Sequence, residues 1–274
     1  MRLALLQMTS GIDPAANALA IERAVAHAAE GGAVMLFTPE MSGLLDRDRK
    51  RASTQIQSED NDLVLARARE AASRHSIWVT LGSLAIAEGS GKWVNRSFVI
   101  DDSGTVRARY DKMHLFDVDL ASGESWRESS AYQAGTGPVL VDTPAGPLGL
   151  SICYDIRFPA LYQALSLAGA TILSIPAAFT VPTGKAHWEL LLRARAVENA
   201  CFVIAAAQSG LHADGRQTYG HSLVIDPWGN ILLDMGEGAA LASVDIDPRL
   251  VDEAKARIPV TAHRRDIGFV RKYE

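Results

Sequence analysis

The sequence predicts an α/β or α+β fold in which two β-sheets form a core that helices cover. Short apolar runs alternate with helical patterns along the chain, which indicates both strands and helices. In the second and third quarters some apolar runs follow one another as hairpin-like pairs, so a simple doubly wound sheet does not account for the whole chain. The length of 274 residues lies near the upper limit that one hydrophobic core organises, and we expect a single domain over residues 1–274.

The predicted strands are short apolar runs separated by turn residues, as buried strands commonly are. They span residues 2–8, 33–39, 77–83, 97–101, 138–143, 148–153, 171–177, 201–208, 222–226 and 241–246. The predicted helices follow from helical spacing of apolar residues, and one of them begins at a proline, which suits a first helical turn. They span residues 14–30, 60–74, 159–169, 186–199 and 248–257.

The composition is that of an ordinary enzyme and argues against several other classes of protein. Hydrophobic residues make up 48% of the chain, charged residues 22%, and the formal net charge is −5, so nothing favours nucleic-acid binding. Short basic groups at residues 47–51 and 263–265 are typical of solvated faces, and we expect no polyanion-binding role for them.

The cysteine content and the hydropathy indicate a cytoplasmic protein. Two cysteines are too few for a disulfide framework, and no cysteine and histidine cluster has the spacing of a zinc site. No apolar stretch approaches the roughly 20 residues that span a bilayer. The N-terminal segment MRLALLQMTSGIDP is typical of an opening strand and not of a signal peptide. We therefore expect no membrane association, no metal and no cofactor.

Three polar residues are interpreted as standing just past apolar strand candidates: Glu40 after AVMLFTP, Lys112 in RARYDKMHLF and Cys153 after LGLSI. Each alone has a simpler explanation, because a charge after a strand is usually a loop charge and a free cysteine is often a small core residue. In layered α/β folds, however, the strand ends open onto the crevice where ligands bind, so distant residues in these positions converge. The shared position predicts one site built from all three.

Together these residues supply what a nucleophilic thiol needs to attack a carbonyl carbon. Cys153 reacts as a thiolate, and Glu40 can take its proton. The helix predicted from Pro159 is expected to add some stabilisation of the thiolate through its positive end. Lys112, as an ammonium, suits a developing oxyanion, and the backbone N–H of Tyr154 is a candidate second donor.

Two alternatives stay open at the level of the residues. Thiol proteases use an imidazole as base, and His114, His187 and His221 could each approach a cleft. From the residues alone, Glu40 and a histidine are both acceptable bases. A hypothesis from another class is a catalytically idle subunit that binds a partner, although an idle chain has no chemical need for Glu40, Lys112 and Cys153 together.

The chain resembles the nitrilase, or carbon–nitrogen hydrolase, superfamily over nearly its whole length. The motifs that carry the resemblance occur in order as LLQM, FTPE, YDKMHLFD, GLSICYDIRFP, PAAFTVPTGKAHWELLLRARAVEN, YGHSLVIDPWG and HRRD. The resemblance implies a four-layer αββα sandwich of the nitrilase type and a homodimer or larger homo-oligomer. It places the family's catalytic triad on Glu40, Lys112 and Cys153, which makes a histidine base a remote second choice.

The resemblance also implies a second active-site glutamate. The segment SWRES is similar to the family's stretch that carries it, which maps to Glu128 and would hold Lys112 and the substrate in position. A carboxylate beside Lys112 would favour its charged form. Glu124 lies close by in the sequence, and the preference for Glu128 depends on the resemblance alone.

Within the superfamily, the segments TGKAHWELLLRARAVEN, AAAQSG and YGHSLVIDPWG most resemble the branch called deaminated glutathione amidase. ω-Amidase, which acts on α-ketoglutaramate, ranks second, and N-carbamoyl amidohydrolase and nitrilase activities rank lower. The implied reaction is hydrolysis of a small carboxamide to a carboxylate and ammonia through a thioester, with no cofactor.

Substrate contacts are expected from the residues that follow the thiol and from a later loop. These are Tyr154, Phe179 and Thr180. Arg157 is at least as well explained by a buried ion pair with Asp155 or another carboxylate as by contact with a substrate acid group.

Overall fold

The computed structural model describes residues 1–89, 91–119, 123 and 125–273. Its strands, in chain order, are β1 (Arg2–Gln7), β2 (Met35–Phe37), β3 (Trp78–Ala87), β4 (Trp93–Ile100), β5 (Val106–Asp111), β6 (Asp117–Asp119), β7 (Ser125–Arg127), β8 (Val139–Thr143), β9 (Gly146–Leu150), β10 (Ile172–Ser174), β11 (Phe202–Ala205), β12 (Ser209–Leu211), β13 (Gln217–Tyr219), β14 (Leu223–Ile225), β15 (Ile231–Asp234) and β16 (Ala240–Asp245). The α-helices are α1 (Pro14–Glu30), α2 (Arg49–Ala52), α3 (Leu63–His75), α4 (Pro159–Leu167), α5 (Val181–Asn199), α6 (Arg249–Arg257) and α7 (Val260–His263). No described helix has both the length and the apolar character needed to cross a membrane.

The predicted elements are present, and several short strands are missing from the prediction. Each of the ten predicted strands overlaps an observed strand, and α1 has the predicted bounds. Helix α5 begins at Val181, earlier than predicted, with Pro182 in its first turn, where a missing N–H costs nothing. Strand β5 was not predicted because its sequence, VRARYD, alternates polar and apolar residues and is half-exposed.

Two six-stranded sheets form the core. The first has the order β16-β1-β2-β3-β4-β5 and the second β15-β14-β11-β10-β9-β8. Strands β1, β2 and β3 are mutually parallel, and so are β9, β10 and β11. Glu40 follows β2 and Cys153 follows β9, so both lie at the carboxyl ends of parallel strands, as the sequence predicted.

Alternate residues of β1 show how the layers stack. Leu3 and Leu5 belong to the core cluster shared with the second sheet, whereas Ala4 and Leu6 pack in the cluster built with α1 and α3. Helices α4 and α5 contribute buried side chains to the cluster of the second sheet. The order of layers is therefore helix, sheet, sheet, helix, which confirms the predicted αββα sandwich.

Gly82 in β3 allows a close approach beneath the strand ends that carry Glu40 and Cys153. A Cβ at this position would overlap the carbonyl oxygen of Thr38 and would lie 2.5 Å from the Cβ of Pro176. Thr38 precedes Glu40 by two residues, and the carbonyl of Pro176 accepts the N–H of Cys153.

Gly82→Ala should therefore lower the free energy of unfolding by about 1–3 kcal/mol, as overpacking of a close contact does. Urea denaturation at neutral pH measures it. Gly89→Ala is the matched control, because a Cβ there meets nothing within 4 Å. Equal denaturation midpoints for the two variants would contradict the close-packing argument.

Candidate active site

Cys153 is held at the end of β9 in an unusual backbone conformation. It is the first residue of a 3₁₀ helix, Cys153–Arg157, and its φ is +47°, in the left-handed region that non-glycine residues rarely adopt. Its N–H donates to the carbonyl of Pro176 at 2.8 Å. Such a conformation persists only where the surroundings fix it, and it places the thiol at the floor of a cavity.

Both carboxylate oxygens of Glu40 accept hydrogen bonds from other residues of the site. Its Oε1 accepts hydrogen bonds from Lys112 Nζ and Asn95 Nδ2, each at 2.9 Å. Its Oε2 accepts the N–H of Ala178 at 2.9 Å. The charge of this carboxylate also acts on the Cys153 thiol, whose pKa it raises. The three residues predicted to converge therefore do so, and Glu40 is only 5% exposed.

Lys112 lies between two carboxylates. Its Nζ is 2.9 Å from Glu40 Oε1 and 3.1 and 3.0 Å from the two oxygens of Glu128. Glu128 is fixed in turn by the N–H of Phe116, which donates to Oε2 at 2.6 Å. The position mapped for the second glutamate is thus next to Lys112, whereas Glu124 lies outside the described residues.

The protonation states follow from burial and from these contacts. Burial lowers the pKa of Lys112, but the charges of Glu128 and Glu40 outweigh it and raise the pKa well above its usual value. Burial raises the pKa of Glu40, and the Lys112 ammonium together with hydrogen bonds to the carboxylate brings it below the usual value. Burial, and then the charge of Glu40, raise the pKa of Cys153 well above its usual value.

The resting site therefore holds an ammonium, a carboxylate and a neutral thiol. Burial and the charge of Glu40 are the largest influences on the Cys153 pKa, and both raise it. The added stabilisation of a thiolate by the helix from Pro159 stays a prediction. A neutral thiol beside a carboxylate can lose its proton as it attacks, which is general-base catalysis.

Asn95, on β4, is a site residue that the sequence reasoning missed. It is fully buried, and its Nδ2 donates to Glu40 Oε1 at 2.9 Å and to Glu128 Oε1 at 3.3 Å. Its backbone carbonyl accepts the N–H of Lys112 at 2.9 Å. The only sequence signal is a polar residue in the apolar strand WVNRSFVI, which fixes no partner. Asn95 thus spaces the two carboxylates on either side of the ammonium.

Asn95→Ala should reduce kcat/KM by about 10- to 100-fold, since a hydrogen bond to a charged group is worth about 1.5–3 kcal/mol. Steady-state kinetics over a range of pH measures it, and the pH profile should shift because Glu40 loses a donor. The control is Asn199→Ala, which removes another buried amide that bonds only the backbone of α5 in the described structure. An unshifted profile in Asn95→Ala would contradict the positioning role.

Asp155 links the segment that carries Lys112 to the one that carries Cys153. Its Oδ2 accepts the hydroxyl of Tyr110 at 2.7 Å and the N–H of Ile152 at 2.8 Å. Its Oδ1 accepts the N–H of His114 at 3.0 Å and contacts the His114 ring at 2.7 Å. The ion pair considered for Arg157 with Asp155 is not formed in the described structure; this carboxylate instead fixes the two catalytic segments relative to each other.

The predicted substrate residues lie in one cavity. Tyr154, Phe179 and Thr180 all line the cavity that contains the thiol. The Arg157 guanidinium lies 5.7 Å from the centre of the Phe179 ring and 3.3 Å from His187 Nδ1. The proposed contacts are therefore grouped around the nucleophile.

The histidines are not arranged as a base for the thiol. The side chains that most affect the Cys153 pKa are Glu40 and Lys112, whereas His114, His187 and His221 each bond other side chains. His212 is 3% exposed, and both of its ring nitrogens have partners.

The cavity has a volume of about 450 Å³. Its floor is charged and its wall is largely aromatic, with contributions from Trp93, Phe116, Trp126, Tyr132, Tyr154 and Phe179. Over the described part of the chain, no group of three or more histidine, cysteine, aspartate and glutamate side chains is placed to hold a metal ion. Such a pocket suits a small organic molecule with one reactive polar group.

This fold and the sequence comparison define a hydrolase that acts on carbon–nitrogen bonds other than peptide bonds. The profile of the family described as "Carbon-nitrogen hydrolase" matches residues 2–256. The chain therefore belongs to the carbon–nitrogen hydrolase family, and the alternative of a catalytically idle subunit is set aside.

Three similar proteins place the chain within that family. The nitrilase and fragile histidine triad fusion protein NitFhit of Caenorhabditis elegans is 42% identical over 96% of this chain, which spans 60% of that protein. The crystal structure of NitFhit superposes with a TM-score of 0.89 at 41% identity, over 96% of this chain and 65% of that one. Deaminated glutathione amidase of Yersinia enterocolitica is 38% identical, over 97% of this chain and 93% of that one.

A third similar protein is an amidase from Nesterenkonia sp. AN1, which was solved as a variant with acrylamide added at its active-site cysteine. It has a TM-score of 0.79 and 29% identity, over 94% of this chain and 98% of that one.

Proposed function

We propose that this enzyme is a cysteine-dependent amidase whose substrate is deaminated glutathione or a closely similar amide. The observation that carries the proposal is that Glu40, Lys112 and Cys153 line one cavity, where the Glu40 carboxylate binds the Lys112 ammonium at 2.9 Å and its charge acts on the Cys153 thiol. A relative that is 38% identical over nearly its full length is named deaminated glutathione amidase, which supports the substrate. Glu40, Lys112 and Cys153 are the proposed catalytic residues, and Glu128 the proposed positioning residue.

The first half of the reaction forms a thioester. Glu40 takes the thiol proton as Cys153 Sγ attacks the amide carbon, and the carbonyl oxygen becomes an oxyanion. Protonation of Glu40 weakens its bond to Lys112, so the ammonium is free to turn toward the oxyanion. The N–H of Cys153 is already engaged, which leaves that of Tyr154 as the proposed second donor.

The second half releases both products. Glu40 returns the proton to the nitrogen as the carbon–nitrogen bond breaks, and the amine leaves. Water, deprotonated by Glu40, then adds to the thioester, the same donors hold the second oxyanion, and the carboxylate leaves as Cys153 regains its proton.

The leaving group depends on the amide. A primary carboxamide yields ammonia, whereas both amide nitrogens of glutathione carry a carbon substituent, so hydrolysis of its deaminated form yields an amine. An assay must therefore quantify the carboxylate and the amine as well as ammonia.

The test is a panel of deaminated glutathione, α-ketoglutaramate, an N-carbamoyl amino acid and a simple nitrile, with products measured by mass spectrometry. The highest kcat/KM for deaminated glutathione supports the proposal. A preference for α-ketoglutaramate would reassign the enzyme as an ω-amidase, and activity on the nitrile alone would overturn the amidase assignment.

We also propose that the chain forms a homodimer through α5. The support is a group of large apolar side chains exposed on this face: Leu190 at 67%, Val197 at 50% and the nearby Trp228 at 48%. Sedimentation at micromolar concentration should give twice the chain mass of 29.4 kDa. A monomer at every concentration would refute the dimer.

A cytoplasmic location and a single domain over residues 1–274 complete the proposal. The location is supported by two free, buried cysteines, as expected in a reducing compartment. Cell fractionation would test it, and recovery with secreted proteins would contradict it.

A further inference from the structure

The outer part of the active-site cavity is rich in arginine. Four arginines line it, Arg47, Arg49, Arg127 and Arg216, together with one carboxylate, Asp46. These side chains are distinct from the buried charges of the floor, where two glutamates surround one ammonium. The mouth and the floor therefore differ in the sign of their charge.

The carboxylates around the mouth do not neutralise all of these arginines. Asp46 is paired with Arg51 and Arg127 with Asp119. Arg216 is paired with Asp214 at 3.0 Å. Over residues 1–89, 91–119, 123 and 125–273, Arg47 and Arg49 have no carboxylate partner, and the guanidinium of Arg49 donates to a backbone carbonyl. Among the described residues, Arg47 is thus the lining arginine whose guanidinium has neither a carboxylate nor a carbonyl partner and can bind an anion.

Trp126 fixes the orientation of two of these guanidinium groups. The central carbon of Arg216 lies 4.9 Å from the centre of the Trp126 ring, and that of Arg47 lies 5.7 Å from it. A guanidinium that contacts a ring through its flat face leaves its N–H groups available to an anion. In Arg216 the Nε and Nη2 groups already bind Asp214, so Nη1 remains for a ligand. The backbone N–H of Arg47 also donates to Asp214, the partner of Arg216, which ties the two arginines together.

The path from the thiol to this pair is lined by aromatic rings. The ring of Tyr154, next to Cys153, lies 5.0 Å from that of Phe116, which lies 6.4 Å from that of Trp126. The direct distance between the Tyr154 and Trp126 rings is at most the sum of these two steps, and since an extended chain advances about 3.5 Å per residue, an arm of at most about three residues covers it. The acyl group stays on Cys153 as the thioester forms, so the arm that reaches the mouth belongs to the amine.

We propose that Arg47 and Arg216, stacked on Trp126, form an anion subsite that binds a carboxylate on the amine portion of the substrate, about two residues from the bond that is cut. The inference rests on the proposed function for the reaction and adds the substrate class, amides whose leaving amine ends in a carboxylate. It also assigns a role to Arg47, which the sequence placed on a solvated face.

The kinetic test compares deaminated glutathione with its C-terminal methyl ester, which lacks only the distal charge. The wild-type enzyme should show a lower KM for the acid by about fivefold, the size of effect expected for an exposed charge pair, and added salt should reduce the difference. Arg47→Gln should abolish this preference through KM, with a much smaller change in kcat. Arg107→Gln is the control, because it removes an equal charge from an arginine outside the cavity lining, 56% exposed, and should keep the preference.

A binding test separates this inference from the proposed reaction. In the Cys153→Ala background, calorimetry with N-acetyl-Ala-Gly and with its methyl ester should show tighter binding of the acid, and the difference should vanish when Arg47→Gln is added. If no amide is hydrolysed but this difference persists, the proposed function fails and the anion subsite stands. Equal binding of acid and ester, or the same preference with and without Arg47, would overturn the subsite.

Discussion

Replacement of Cys153 by alanine should lower kcat by about 10⁶-fold, the scale seen when a catalytic nucleophile is removed. The loss is large because the thioester cannot form, and neither Glu40 nor Lys112 supplies a second nucleophile at the amide carbon. Far-ultraviolet circular dichroism should be unchanged, since the substitution removes one sulfur beside a cavity. Single-turnover kinetics with product detection by mass spectrometry measures the residual rate.

Cys201→Ala is the matched control for the loss of a buried thiol. Cys201 is fully buried just before β11, where its Sγ lies 3.2 Å from two backbone carbonyl oxygens, and burial raises its pKa to about 12. It should therefore keep its activity. Near-normal turnover in Cys153→Ala, or a comparable loss in Cys201→Ala, would move the nucleophile away from Cys153.

The meeting of Glu40 and Cys153 could be predicted because both follow short, strongly apolar strands. Such strands are recognisable in a single sequence, and their carboxyl ends share an edge in layered folds. Lys112 was harder to place, since β5 before it is polar and half-exposed. The prediction that Lys112 lies beside Glu128 depended on the resemblance to a family, because residues 124–128 contain two glutamates.

Partners within the site could not be predicted from local patterns. Asn95 bonds two carboxylates that are 55 and 33 positions away, and nothing next to it in the sequence indicates either one. Asp155 was considered as a partner for its neighbour Arg157, yet its acceptor oxygens are taken by donors from β5 and the segment after it. Side-chain pairing depends on how the sheets stack, which strand patterns alone do not specify.

Replacement of Lys112 by methionine should affect both stability and catalysis. The buried carboxylate of Glu40 and the partly buried one of Glu128 would lose the ammonium that lies within 3.1 Å of both. Breaking a buried ion pair in this way costs about 3–5 kcal/mol of unfolding free energy. Loss of a donor to the oxyanion should separately lower kcat by about 10²- to 10³-fold. Urea denaturation and steady-state kinetics measure the two effects.

A second substitution separates charge balance from catalysis. Adding Glu128→Gln to Lys112→Met removes one of the two carboxylates that have lost their ion-pair partner, so part of the lost stability should return. The activity should not return, because no cation would face the oxyanion. Recovery of turnover in the double variant would show that Lys112 acts only by neutralising Glu128.

The stability lost in Lys112→Met should depend on pH, because the pKa of Glu40 depends on Lys112. In the wild type the pKa of Glu40 is below its unfolded value, so its contribution to stability is present above the unfolded pKa and is lost as pH falls through the folded pKa. Without Lys112, burial is the largest remaining influence and raises the folded pKa of Glu40, so the variant loses stability as pH rises through that raised value. The difference in unfolding free energy between wild type and Lys112→Met should therefore shrink as pH is lowered from about 7 to about 5, toward the pKa of an unperturbed glutamate. A difference that stays constant over that interval would mean that Glu40 does not depend on Lys112 for its charge.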